Sequence, residues 1–187
     1  MPTIVHEFAW PDRVVIGTVG LPGSRTFYLQ VRTGARIASV ALEKQQSALL
    51  AEKIDEMLDE LMSYEGNPFS IPTNTPVELV DNDPLEQPVA EEFRTGAMSL
   101  GWDPSTVQVV IEAYPVVEVD DSGDDDAAFD PGVLEPAEVL RVRMPVGTAR
   151  AFAKRTREVV GAGRPLCLLC GDPIDPDGHV CSLPGSP

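Results

Sequence analysis

Residues 26–62 read TFYLQVRTGARIASVALEKQQSALLAEKIDEMLDELM, and this stretch decides the fold class. Phe27, Leu29 and Val31 alternate with more polar neighbours, as in a strand with one buried face. A Thr33-Gly34 turn leads into a second apolar strand. From residue 43 the apolar period becomes helical, in a stripe formed by Leu50, Ile54, Met57, Leu58 and Leu61. The stretch predicts two strands followed by an amphipathic helix over residues 43–62.

The same plan extends to both sides of this stretch. Residues 3–9 and 13–18 predict two earlier strands, and residues 92–100, 106–119 and 138–144 predict three later ones. A second helix is expected over residues 145–160, with Pro145 in its first turn and Gly161 as a left-handed C-terminal cap. Runs of strands each closed by a helix indicate an α+β fold of antiparallel strands with two helices on one side.

A shift of 102 residues aligns the two predicted units. It places residues 40–42 on residues 142–144 and Ala51 on Ala153. Each predicted helix therefore begins at the same distance in sequence from the last strand of its unit. One interpretation is an internal duplication of a strands-then-helix unit. The alternative is that any two such units look alike at this level.

The chain divides into a body over residues 1–163 and a small tail over residues 164–187. Within the body, residues 65–91 carry five prolines and predict an extended connector. Residues 118–132 hold seven acids and no base, which predicts a solvated acidic loop.

Composition limits the function classes. The 187 residues include 14 Lys and Arg against 30 Asp and Glu, for a net charge of −16 and a pI of about 4.3. Such an acidic protein is not drawn as a whole to nucleic acid or to anionic lipid. No apolar run approaches the roughly 18–20 residues of a membrane span, and residues 1–10 lack a signal-peptide pattern. We expect a cytoplasmic protein.

The three cysteines of the chain lie within fifteen residues of one another. Cys167, Cys170 and Cys181 join His179 in a C-x2-C…H-x-C pattern. Four such ligands can surround one tetrahedral zinc ion and leave no position for water or substrate, which predicts a structural, zinc-ribbon-like site. The alternative is three unligated thiols and a surface histidine.

Other motifs give little support to a catalytic site. Gly17, Gly20 and Gly23 lie between two predicted strands, which favours a hairpin turn over a phosphate-binding loop. If His179 binds metal, His6 is the only other histidine, and no partner serine stands out for a triad. No catalytic or organic-cofactor residue is predicted.

Basic residues gather on the second helix. Residues 141–164 hold seven of the fourteen bases against one acid. Arg150, Lys154, Arg155 and Arg157 are therefore candidates for a surface that contacts an anion or an acidic protein. The alternative is an ordinary polar outer face.

Several stretches together resemble a family of uncharacterised proteins of about 190 residues found in Actinobacteria. The resemblance covers essentially the whole chain. It rests on PDR (11–13), GTVG (17–20), RTFYLQ (25–30), ALEKQQ (41–46), CLLCG (167–171) and IDPDGHVC (174–181). It implies that Cys167, Cys170, His179 and Cys181 act as one unit, and it carries over no activity. Family members often have proline after the first tail cysteine, where this chain has Leu168, a difference expected to affect turn stiffness and not ligation.

Two function classes remain open. The first is a zinc-binding, non-catalytic interaction or regulatory module whose partner is another protein. The second is an enzyme with a pocket for a small molecule or phosphate ligand in the body. Nucleic-acid binding through the tail and the basic helix is a third reading, which the net charge of −16 disfavours.

Overall fold

The chain forms seven strands and two long helices in a computed structural model that describes residues 2–21, 23–117, 136–162, 167–170, 174 and 178–181. The predicted α+β fold is confirmed. In chain order the elements are β1 Ile4–Ala9, β2 Arg13–Val19, β3 Thr26–Thr33, β4 Arg36–Leu42, α1 Lys44–Met62, a 3-10 helix Val77–Leu79, β5 Glu91–Asp103, β6 Gln108–Pro115, β7 Glu138–Pro145 and α2 Val146–Gly161.

The strands form one sheet in the order β1-β7-β6-β5-β4-β3-β2. Four of the six pairings are antiparallel, as expected, but β1 pairs with β7 in parallel and β4 pairs with β5 in parallel. A parallel pair needs a long crossover between its strands. Between β4 and β5, α1 and the proline-rich connector provide that crossover.

The two edge strands of the sheet follow one another directly in the chain. The edges, β1 and β2, are joined by only three residues, a link that spans roughly 15 Å at most. Trp10 N donates a hydrogen bond to Arg143 O of β7 (3.1 Å), and Asp12 N donates one to Arg32 O of β3 (2.8 Å). The link therefore forms hydrogen bonds to β7 and to β3, the strands next to the two edges of the sheet.

The two halves of the sheet have equivalent pairings. In the first half Leu29 pairs with Val40, and in the second Ile111 pairs with Val142. The first half is β1–β4 and the second is β5–β7. β1, the first strand of the first half, pairs in parallel with β7, the last strand of the second, and β5 pairs in parallel with β4 in the same way. The topology thus repeats, whereas duplication of the sequence stays a prediction.

Both helices pack against each other and against one hydrophobic core. The predicted α1 stripe is buried at Leu50, Ile54, Leu58 and Leu61 and partly buried at Met57. From α2, Phe152 and Ala153 join the same core, which includes Leu29, Ile111 and Val142 of the sheet. Burial of apolar side chains is the main driving force for the body.

The end of α2 differs from the prediction. Gly161 belongs to the helix, and the C-cap is Ala162 with φ of −75° instead of a left-handed glycine. Arg25 of the β2–β3 hairpin donates from Nη1 to Ala162 O (3.0 Å) and from Nη2 to Val159 O (3.1 Å). A cation that binds the last carbonyls also favours the negative end of the helix dipole.

The proline-rich connector is a packed part of the body. Ile71 and Leu85 are buried in it. The Gln30 amide of β3 donates to Glu86 O (3.0 Å) and accepts from Glu86 N (2.8 Å). A Cβ added at Gly17 would lie 2.5 Å from Leu85 Cγ, so β2 needs glycine there because the connector lies so close.

Two further sequence predictions have different outcomes. The predicted acidic loop over residues 118–132 lies outside the described residues. Among the helices that are described, none is long and apolar enough to span a membrane.

Candidate metal centre

The tail brings its four predicted ligands together. The ligand atoms of Cys167, Cys170, His179 and Cys181 all lie within 4.8 Å of one another. Cys170 Sγ is 3.0 Å from His179 Nε2, and Cys167 Sγ is 3.9 Å from Cys181 Sγ. Neighbouring ligands of a tetrahedral zinc ion are about 3.4–3.8 Å apart, given its bond lengths to sulfur and nitrogen. The cluster therefore has the dimensions of a four-coordinate metal site.

Local backbone geometry explains how so short a segment gathers these ligands. Residues 168–170 form a turn, in which Leu169 N–H donates to Cys167 Sγ (3.4 Å). Gly178, with φ of +117°, directly precedes His179. Glycine adopts this backbone region without the steric cost that a side chain brings. We expected a positive φ at Gly171, which lies outside the described residues.

The thiols of the cluster differ in acidity. Hydrogen bonds from the backbone N–H groups of Cys170 and Leu169 lower the pKa of Cys167 to about 6. Partial removal of the thiol from water, followed by hydrogen bonds with the thiols of Cys170 and Cys167, raises the pKa of Cys181 to about 11. Because the thiolate is the form that binds metal, Cys167 is a ready ligand at neutral pH and Cys181 releases a proton on binding.

The surroundings of the cluster are apolar and open to solvent. Leu168, Leu169 and Val180 are 101%, 71% and 93% exposed. None of the described tail residues is buried. The cluster can hold a metal ion, and three large apolar side chains project from the turns that carry its ligands.

The four predicted contact residues of α2 do not form one exposed surface. Arg150 is buried and donates to Asp55 Oδ1 (2.9 Å), Asp59 Oδ1 (2.6 Å) and Pro72 O (2.9 Å). It thereby ties α2 to α1 and to the connector.

Arg155 is buried on the other side of the helix. Its Nε donates to Ile16 O (3.0 Å), and its Nη1 donates to Asp81 O (2.8 Å) and Asp81 Oδ1 (3.1 Å). Burial lowers the pKa of this guanidinium. Lys154 and Arg157 are about half exposed and pair with Glu158 and Asp55. The predicted contact surface is therefore reduced to these two residues.

One signal for this burial was present in the sequence. Arg150 lies three residues before Ala153 and Arg155 three residues after Phe152, so each borders the apolar stripe of α2. Side chains three apart share a helix face, which puts both arginines at the edge of the core.

A cavity of about 170 Å³ lies between α2 and the start of β2. Val15, Phe152, Arg13, Asp81 and Arg155 are among its lining residues. Arg13 donates to both oxygens of Asp81 (2.7 and 3.1 Å), and Arg155 donates to the same carboxylate. Of the three glycines near this cavity's strand, Gly17 lies within β2, whereas Gly20 and Gly23, both with positive φ, lie in the predicted turn between β2 and β3.

A second group of metal-ligating side chains was not predicted. His6, Glu92 and Glu138 place their ligand atoms within 4.8 Å of one another, although they come from β1, β5 and β7. No local spacing signals this group, because it depends on how distant strands pair.

Comparison with known families identifies one family whose model covers most of the chain. A family model described as "Protein of unknown function (DUF3090)" matches residues 6–181. The chain belongs to this family. No curated protein and no solved structure matches it.

Proposed function

We propose that this member of the DUF3090 family binds one zinc ion through Cys167, Cys170, His179 and Cys181. We further propose that the ion stabilises the fold of the tail, and that the tail acts as a non-catalytic interaction or regulatory module. The observation that carries the proposal is the placement of all four ligand atoms within 4.8 Å of one another.

The donor set supports zinc over other ions. Three thiolates and one imidazole are soft or borderline ligands, which suit zinc and are poor partners for magnesium or calcium. Zinc sites of this kind need reduced thiols, and a reducing cytoplasm keeps them so. The proposed location of the protein is therefore the cytoplasm.

Two features support an interaction role over a catalytic one. Four protein ligands complete a tetrahedral shell, so a zinc ion held by them has no open position for substrate. Leu168, Leu169 and Val180 are exposed beside those ligands. Exposed large apolar side chains often mark a protein contact, so the proposed partner is another protein.

Elemental analysis of the full chain tests the metal. We expect about one zinc per chain after purification without chelators, and loss of that zinc in the Cys170→Ser variant. Leu168→Ser is the matched control, because it changes the same turn and keeps all four ligands. A wild-type chain that contains no zinc would contradict the proposal.

Native mass spectrometry separates the two function classes. A co-purifying protein that is lost from both Leu168→Ser and Cys170→Ser chains supports the interaction module. A bound metabolite that survives both changes but is lost when the Val15–Phe152 cavity is altered supports the enzyme alternative and contradicts the proposed role.

A further inference from the structure

We propose that His6, Glu92 and Glu138 form a second metal site, in the body, for a divalent first-row transition ion. His6 Nε2 and Glu138 Oε1 form a hydrogen bond of 2.6 Å, which a bound ion would replace, and Glu92 places a carboxylate oxygen within 4.8 Å of both. One imidazole and two carboxylates are ligands that Mn²⁺, Fe²⁺ and Zn²⁺ accept.

Strand pairing creates the cluster. Because β1 and β7 are parallel with Ile4 opposite Glu138, His6 lies two residues further along the neighbouring strand. Side chains two residues apart share a sheet face, so His6 and Glu138 project from the same side.

The bend of β5 brings in the third side chain. The first residues of β5 pair with β4, at Ser39↔Glu91 and Ala41↔Arg94, whereas Thr95 onward pairs with β6. Glu92 lies in the first part, and its carboxylate lies within 4.8 Å of the ligand atoms of His6 and Glu138.

The cluster carries more negative than positive charge, since it combines two carboxylates with one histidine. Two carboxylates lie together there, and like charges at this separation repel one another. Among the described residues, His6 is the one basic side chain paired with either carboxylate, and it is charged only when protonated, so a bound cation would offset the repulsion.

The equivalent position of the other half shows a different solution. There, Arg36 of β4 lies over the ring of Phe8 of β1, 4.2 Å from its centroid. Arg36 and Glu138 each begin the last strand of their half. Arg36 therefore places a cationic side chain at this position of the first half. At the equivalent position of the second half, Glu138 is one of three potential ligands for a metal cation.

The three side chains leave part of a metal's coordination sphere open. A four- to six-coordinate ion bound to them keeps positions for water or for an oxygen of a small ligand. This distinguishes the body site from the tail cluster, whose four ligands complete a tetrahedral shell.

Mn²⁺ is the probe that tests the body site in the full chain. With the tail first loaded with one equivalent of Zn²⁺, Mn²⁺ is a poor competitor for thiolates but binds carboxylates well. Titration followed by electron paramagnetic resonance should show saturable binding of one Mn²⁺ per chain.

Substitutions at the ligands should weaken this binding. Glu138→Gln and Glu92→Gln should each raise the Mn²⁺ dissociation constant tenfold or more, the scale of effects that ligand-shell changes produce. Glu91→Gln removes the same charge one residue away and should change it less than twofold. Glu92 is exposed, so its variant keeps the test valid even if Glu138→Gln does not fold.

The histidine signals provide a second readout. The chain has only two histidines, His6 and His179. Bound Mn²⁺ should broaden the His6 ring resonances in nuclear magnetic resonance spectra, and Glu138→Gln should remove that broadening. Non-saturable binding, or equal affinity in Glu91→Gln, Glu92→Gln and Glu138→Gln chains, would overturn the second site.

Discussion

The body and the tail differ in how far their described residues are buried. The body buries apolar side chains from seven strands and two helices in one core. In the tail no described residue is buried, and Leu168, Leu169 and Val180 are exposed to solvent. So small a segment without a core needs another source of folding free energy, and the Cys/His cluster can supply it through a metal ion. The two regions should therefore lose their structure under different treatments.

The largest expected effect is on the tail. Metal binding to a structural site of this type is worth about 10–16 kcal/mol, so Cys170→Ser should leave the tail unfolded. Limited proteolysis should then cut after residue 162, while the body remains intact. A chain truncated after Gly163 should keep a cooperative thermal transition, because all core positions are retained. Aggregation or non-cooperative melting of that truncated chain would show that the tail belongs to the core.

A core substitution should have the opposite pattern. Leu58 is buried in α1, so Leu58→Ala should lower the free energy of unfolding by about 2–5 kcal/mol without loss of zinc. Leu49→Ala on the exposed side of the same helix should cost about 0.5 kcal/mol or less. Urea denaturation with zinc analysis measures both effects. Equal destabilisation by the two variants would contradict the described packing of α1.

Arg155, one of the two buried arginines of α2, should contribute more to the free energy of unfolding than its exposed neighbour Lys154. Arg155→Ala removes the hydrogen bonds to Ile16 O and Asp81, for a loss of about 1.5–3 kcal/mol. Lys154→Ala, at an exposed position next to it, should cost about 0.5 kcal/mol or less. The same urea series decides the matter. If Lys154→Ala proved the more harmful, α2 would present its basic face differently from the structure described.

A smaller effect is expected in acid. Hydrogen bonds from Arg13 hold the pKa of the Asp81 carboxyl below its ordinary value of 3.8. An acid with a lowered folded-state pKa stabilises fully above its unfolded pKa and loses that contribution as pH falls through the folded one. Asp81→Asn should therefore reduce stability at pH 7 by about 1 kcal/mol or less and flatten its decline below about pH 4.

Thermal melts of the wild-type, Asp81→Asn and Asp83→Asn chains between pH 2 and 7 measure this contribution. Asp83→Asn is the matched control, since it changes an exposed acid of the same segment. A steeper acid limb in the Asp81→Asn chain would show that the carboxyl does not stabilise the fold in its ionised form.

Local patterns predicted the elements well. The alternation at residues 27, 29 and 31 and the stripe from Leu50 to Leu61 correspond to β3 and α1. The four tail ligands were equally accessible, since their spacing lies within fifteen residues. Such features depend on neighbours in the chain, which one sequence records.

Long-range features were not accessible in the same way. Whether β1 pairs with β7 or with β2 depends on how the whole sheet closes, and no local residue choice encodes it. The Arg25 contact to α2, the pairing of Arg150 with Asp55 and the His6–Glu92–Glu138 group likewise join residues that are far apart in the chain. A basic helix was therefore predicted correctly as a helix, although two of its arginines hold the core together.

Zinc titration of the metal-free chain, followed by two-dimensional ¹H–¹⁵N nuclear magnetic resonance, tests the contrast between body and tail most directly. We predict that dispersed signals of the body are present before zinc is added. Signals of residues 167–181 should become dispersed as one equivalent of zinc binds, with the body signals largely unchanged. A tail already ordered without metal, or a body that orders only when zinc is added, would contradict the separate origins of stability in the two regions.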